Sequence, residues 1–237
     1  MAACGGASGG RGPGRRRGGG EDVQNLGEAL TGHAGDTLSG HGAAPHPPAS
    51  GDFELTADEL RVVARYVVLH AEDVLPVFER AVPGDPRPRA AIDAAREFVN
   101  GARRTAAQRL TSVDAHRAAR AAPTEAARLA ARSAGDAASA AYLHPLARAT
   151  QVGHILRACA SAARIAELEA GGDTAVGDAL LERSRQRATP VLVDVLRRYP
   201  PAKDGSSRVA RLMSALDSSL RESADRTSAH ADRAGGA

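Results

Sequence analysis

Apolar residues along this chain recur at intervals of three and four. No stretch alternates with period two for long enough to make a strand, so the pattern predicts helices throughout. Thr56-Ala-Asp-Glu59 reads as a capping box, a hydroxyl at the N-cap and a Glu three residues on. Behind it Leu60, Val63, Ala64, Val67, Ala71, Val74, Leu75 and Phe78 fall on one face. Pro76 interrupts that run and predicts a kink or a restart. Phe78, one of three Phe, is expected to be a core anchor. After the loop Val82-Pro-Gly-Asp-Pro-Arg-Pro-Arg89, a second helix is expected with Pro88 as its first residue, ending at Gly101. A third covers about 104–121. A fourth opens at Pro123 and runs to about Leu143, and a fifth opens at Pro145 and runs to Leu168. Asp173 or Thr174 caps a sixth, which restarts at Thr189-Pro190 and halts at Tyr199-Pro200-Pro201. Ser206 or Ser207 caps a last helix with Val209, Leu212, Met213, Leu216 and Leu220 on one stripe.

The fourth helix carries Ala at 126, 127, 130, 131, 134, 137, 138, 140 and 141. Small side chains permit close approach on several sides, and Ala has the highest helix propensity. The fold class is therefore all-α: a bundle of about seven helices with this Ala-rich helix at its centre. Residues 1–51 hold fifteen of the 25 glycines and little apolar bulk. They cannot bury enough surface to offset the entropy of ordering them, and they read as a disordered tail. Residues 52–224 form a single domain, and 225–237 a polar, frayed end. Two Cys leave no disulfide framework, and no run approaches the ~18 apolar residues of a membrane span. The Arg15-Arg16-Arg17 cluster is followed by no apolar stretch, so a secretory signal is not expected and the location is cytoplasmic.

Charge is unevenly placed. Residues 52–97 sum to −4 and residues 98–164 to +7, against +3 for the whole chain. Within the basic segment Arg117, Arg120, Arg128 and Arg132 form a stripe. It is either a nucleic-acid surface or a solvated face that pairs with the acidic first helices. Only Phe98 and Tyr142 are aromatic there, which supplies base stacking poorly. No phosphate-cradling loop, nucleophile elbow, H-E-x-x-H or C-x-x-C is present, so no catalytic residue, cofactor or metal is expected. His144 and His154 stand ten residues apart. At the helical repeat that separation is about 80° of rotation, so the two would share a metal only across a break. His70 lies beside Glu72 and Asp73, and an enzyme would require His70, His116, His144 or His154 to converge with acids in a cleft. Cys159 falls on an apolar face and reads as core. Asp85, Arg87 and Arg89, held among prolines, read as a structural clasp or as a site for an anionic partner.

The stretches Val74-Leu-Pro-Val-Phe-Glu-Arg80, Pro83-Gly-Asp-Pro-Arg-Pro-Arg-Ala-Ala-Ile92 and Ala94-Ala-Arg-Glu-Phe98, with Gly101, resemble the signature of the immunity protein five-like family of bacterial polymorphic toxin systems. The Ala-rich stretch 126–149 and Arg187-Ala-Thr-Pro190 fit the same pattern, so the likeness covers about 55–200. It departs at Phe98 and Tyr142, where the family commonly has Trp and His. The resemblance implies an all-α, non-enzymatic protein that binds a protein toxin and so protects its producer. The alternative is a nucleic-acid-binding or nuclease-accessory protein using 98–164.

The composition of the two ends generates a direct test. A chain cut to residues 52–224 should keep the helical circular-dichroism signal and the Tm of the full chain. A Tm lower by more than a few degrees would show that an end packs on the domain.

Overall fold

The computed structural model describes residues 53–235, with side chains as far as Arg226. The proposed N-terminal tail and its Arg15–Arg17 cluster lie outside the described residues. Among the described residues there are eight α-helices and no strand: α1 Ala57–Ala81, α2 Arg87–Val99, α3 Ala106–Ala121, α4 Glu125–Ser139, α5 Val152–Glu169, α6 Thr174–Arg187, α7 Pro190–Arg197 and α8 Arg208–Gly235. No helix among them is long and apolar enough to cross a membrane.

The starts follow the capping chemistry. Thr56 and Glu59 close the expected box. The Glu59 amide donates to Thr56 Oγ1 at 3.2 Å, and the Thr56 amide donates to Glu59 Oε2 at 2.8 Å. Thr105 with Gln108, Thr124, Asp173 and Thr189 cap α3, α4, α6 and α7. Gly84, Gly101, Gly171 and Gly172 take positive φ, and Gly101 and the Gly171–Gly172 pair end α2 and α5 as expected.

Five boundaries differ from the sequence pattern, the last being that α8 continues as helix to Gly235 through residues expected as a frayed end. Helix α1 runs unbroken through Pro76. Pro76 is on the exposed side, where water can satisfy the carbonyl it orphans, and the buried Val74, Leu75 and Phe78 hold the helix on both sides of it. Helix α2 begins at Arg87 because Asp85 Oδ1 accepts the Arg87 N–H at 3.1 Å, satisfying a terminal donor from outside the helix. Helix α4 starts at Glu125, capped by Thr124, and stops at Ser139 in a 3₁₀ turn over Ala140–Tyr142. Helix α5 starts at Val152, not at Pro145, after a second such turn over Ala149–Gln151. Distant groups hold the intervening residues out of a helix: Tyr199 Oη donates to His144 O at 2.8 Å, the Phe53 amide to Pro145 O, and the His144 amide to Gln151 Oε1.

Helix α4 occupies the centre, packed against α1, α2, α3 and α5. Its Ala127, Ala130, Ala131, Ala134, Ala137 and Ala138 are fully buried. Helix α5 is the second hub, touching α1, α4, α6 and α8. Larger residues fill the spaces around the two: Phe78, Ile92, Ile155, Leu156, Ile165, Leu192 and Leu196, with Phe78 the fully enclosed anchor its pattern predicts.

One buried carboxylate locks the C-terminal side. Glu167 of α5 has no exposed side-chain surface and meets two guanidiniums. Arg164 Nη1 donates to its Oε2 at 3.2 Å, and Arg208 Nε of α8 to its Oε1 at 3.0 Å. Gly177 of α6 makes the space, because a Cβ there would run into Glu167 Oε1. The two arginines, Arg208 first, hold the Glu167 carboxyl below its ordinary value. A carboxyl depressed in the folded state contributes stability above its unfolded pKa and loses it as pH falls through the folded value. Glu167→Gln should cost about 3 kcal/mol near pH 7, since it leaves two cations over a buried amide. In urea titrations the gap to the wild type should be constant from pH 8 to about pH 5.5 and shrink below about pH 4.5. A gap that widens on acidification would contradict this account.

Candidate functional site

The Asp85 loop folds onto itself. Asp85 accepts from Arg87 Nε at 2.9 Å and from Arg87 Nη2 at 2.6 Å, besides the backbone bond above. These bonds hold its carboxyl below the usual range. Arg89 turns away to α1, where Nε donates to Glu79 at 2.7 Å. The three candidate residues therefore do not converge. Arg87 is thus spent on Asp85, while Arg117 of α3 pairs with Asp114 of its own helix at 2.9 Å.

The four arginines of the predicted stripe occupy α3 and α4. Arg117, Arg120 and Arg128 are exposed and Arg132 is partly buried. Arg117 pairs with Asp114 of its own helix, and several acids of α1 are engaged by other cations. Glu72 is taken by Arg96, Asp73 by Arg187 at 2.6 Å, Glu79 by Arg89, and Glu59 by Arg198. Those cations come from α2, α6 and the end of α7. Tyr142, one of the two aromatic residues of the basic segment, is already engaged. The guanidiniums of Arg104 and Arg109 lie 5.4 Å and 5.3 Å from its centroid. Its hydroxyl donates to Thr105 O at 2.7 Å.

Beneath the stripe lies an ionic cluster that the sequence pattern does not disclose. Asp136, in the middle of the apolar α4, is fully buried and receives Arg157 Nη1 of α5 at 3.2 Å. His116 of α3 places Nε2 4.0 Å from the same oxygen. His154 adds its ring near Ser139, 3.5 Å from the hydroxyl. Burial, with Arg157 next, pushes His154 down to about 4, and burial also lowers His116, so both imidazoles are neutral near pH 7. Gly135 and Gly153 make the room: a Cβ on Gly135 would stand 2.8 Å from His116 Nε2, and one on Gly153 would meet Arg157 Nη2. The signal in the sequence was the lone Gly135-Asp136 pair inside an alanine helix, which costs helix propensity and so marks a packing demand. His116 and His154 do converge with an acid, but Asp136 Oδ2 and His116 Nε2 are closed off from solvent. A general acid or base must reach the proton it transfers. The arrangement ties α3, α4 and α5 together.

His70 lies elsewhere, buried against α6. Its Nδ1 is 2.8 Å from Tyr66 O, and its Nε2 is 2.9 Å from Ser184 Oγ. Nδ1 must donate to the carbonyl, so in the neutral ring Nε2 is an acceptor, and it competes with Leu180 O, 2.9 Å from Oγ, for the single Ser184 hydroxyl proton. Burial keeps the ring neutral and pushes the neighbouring Cys159 thiol up to about 12, the state of a core thiol. A Ser–His contact sealed at 1 % exposure on both residues is a clasp between α1 and α6. Among the described residues no group of three or more His, Cys, Asp or Glu is placed to hold a metal ion.

The family model described as "Imm-5 like putative immunity protein" matches residues 54–189, the span of α1 to α6. Neither a curated protein nor a solved structure matches the chain significantly.

The tight seat of His116 is testable by substitution. Gly135→Ala should destabilise by about 1–3 kcal/mol through overpacking, although Ala is the better helix former. In a His116→Ala background the same change should become neutral or stabilising by up to about 1 kcal/mol. Equal effects in the two backgrounds, read by denaturant titration, would show that the imidazole does not occupy that space.

Proposed function

The chain belongs to the Imm-5 like immunity protein family, since the match spans more than half of its 237 residues, and on that premise we propose that it is a non-enzymatic immunity protein that neutralises a bacterial toxin by binding it directly. Family membership is the observation that carries this reading. The site geometry is consistent with it. The titratable clusters tie helices together, while the surface carries guanidiniums on rigid helices, a kind of group enriched among binding hot spots. Neutralisation by binding needs surface complementarity over roughly 800 Å² per partner and no reacting group. We place its action in the cytoplasm, with residues 52–224 as the folding unit. Arg87 and Arg89, the latter through the edge of the α1–α2 loop, and the Arg117–Arg132 face are the proposed charged contacts.

The test is co-expression with each toxin candidate encoded beside the gene. The wild-type chain should restore growth against its cognate toxin, and Arg87→Glu/Arg89→Glu should weaken that rescue. The purified protein should show no hydrolytic activity of its own. Absence of rescue from every candidate, together with DNA binding that survives physiological salt, would favour the nucleic-acid reading instead.

A further inference from the structure

The segment that enters α3 and the turn that follows α4 meet around one ring. Tyr142 Oη donates to Thr105 O at 2.7 Å, and Arg104 Nη1 donates to Ala141 O at 3.2 Å. The guanidinium carbons of Arg104 and Arg109 stand 5.4 Å and 5.3 Å from the Tyr142 centroid, so the two cations lie no more than about twice that distance from each other. Arg103 is exposed beside them in the chain. Neither 98–113 nor 137–166, the two stretches that build this corner, contains an acidic residue. Among the described residues Arg103, Arg104 and Arg109 form no ion pair, whereas Arg80, Arg89, Arg96, Arg187 and Arg198 each meet a carboxylate. An aromatic ring restrains a guanidinium without neutralising it or using up its fork of five N–H donors. The corner therefore holds two restrained cations with donors to spare and no anion of its own.

We propose that Arg104 and Arg109, held at the Tyr142 ring with Arg103 beside them, bind carboxylates on the surface of an acidic protein partner. The guanidinium fork matches a carboxylate through two parallel hydrogen bonds, and a side chain restrained in advance loses less freedom on binding. Tyrosine and arginine are also the residue types enriched among interface hot spots. Leu110, the next residue along α3, is 65 % exposed, so a protein that closes over the corner covers apolar surface as well. Nucleic acid fits less well. The ring that could stack on a base is already held by two guanidiniums, and a phosphate track along α3 would next meet Asp114, which pairs with Arg117. A second copy of the corner would bring like charges together.

The identity of the partner as a toxin rests on the function proposed above; the site itself is tested without one. The probe is a hexaglutamate peptide, titrated into the isotope-labelled full chain at physiological salt and followed through backbone amide and arginine Nε–H NMR signals. Signals of residues 103–109 and 141–143 should shift along one saturating curve, and those about Arg183, an exposed arginine of α6, should not. Arg104→Lys/Arg109→Lys keeps both charges but removes the planar forks, and should weaken the peptide about five-fold or more. Arg104→Glu/Arg109→Glu should abolish saturable binding, while Arg183→Glu should alter the affinity by less than about two-fold. Circular dichroism will verify that each variant folds, and the shifts in the wild-type chain need no variant. Shifts spread evenly over the arginines of α3, α4 and α6, unchanged affinity in the lysine variant, or no binding would each overturn the site. So would a DNA hexanucleotide, which carries a similar charge, bound tighter than the peptide. In the co-expression test, rescue that Arg104→Glu/Arg109→Glu leaves intact would refute this site and leave the immunity role standing. Saturable, variant-sensitive peptide binding with no rescue from any toxin would do the reverse.

Discussion

Helix α4 lies so close to its neighbours that at Gly135 there is no room for a methyl group. Four helices reach it because most of its buried side chains are alanine. Close approach gives each contact many short-range dispersion interactions in place of the bulky apolar area that Leu or Phe would bury. The cost falls on shape. A helix held this tightly tolerates neither a larger residue nor a displaced partner, and positions on α1, α2, α3 and α5 are all set against it.

The same constraint accounts for the buried charge. The three glycines inside α4, α5 and α6 each give up the space of a Cβ to a polar side chain: His116, Arg157 and Glu167. Asp136 and Glu167 are then fixed by guanidiniums reaching in from the edges, Arg157 in one case, Arg164 and Arg208 in the other. Such pairs add little net energy over apolar packing, yet breaking one is expensive. Their effect is to define which helix meets which, in a core where alanine on alanine would discriminate registers poorly.

On the binding role proposed above, recognition would rest on what this frame leaves outside. Catalytic-looking residue types are drawn inside: the Ser184–His70 contact and the His116–Asp136 approach are both closed to solvent. The surface retains arginines and an exposed leucine, a composition suited to recognition. That division accords with the family to which α1–α6 belong.

Local chemistry was legible in the sequence. The capping box at Thr56, the caps at Asp173 and Thr189, the glycine stops at 101 and 171–172 and the alanine spacing of α4 depend on neighbours within a turn, and the pattern at those positions yields the observed elements. So does the all-α class, because a helical period in the apolar positions is a property of the chain alone. Tertiary structure decided the rest. Pro76 stays inside α1 because its exposed side faces solvent while packing holds the helix around it. The chain at His144 and Pro145 stays out of a helix because Tyr199 and Phe53, each more than fifty residues away, bond to it. The convergence of His116, Asp136, His154 and Arg157 was beyond reach for the same reason. Spacing within one helix fixes an angle, but which side chains from three helices share one point depends on how closely those helices pack, and that was set by the missing Cβ of Gly135.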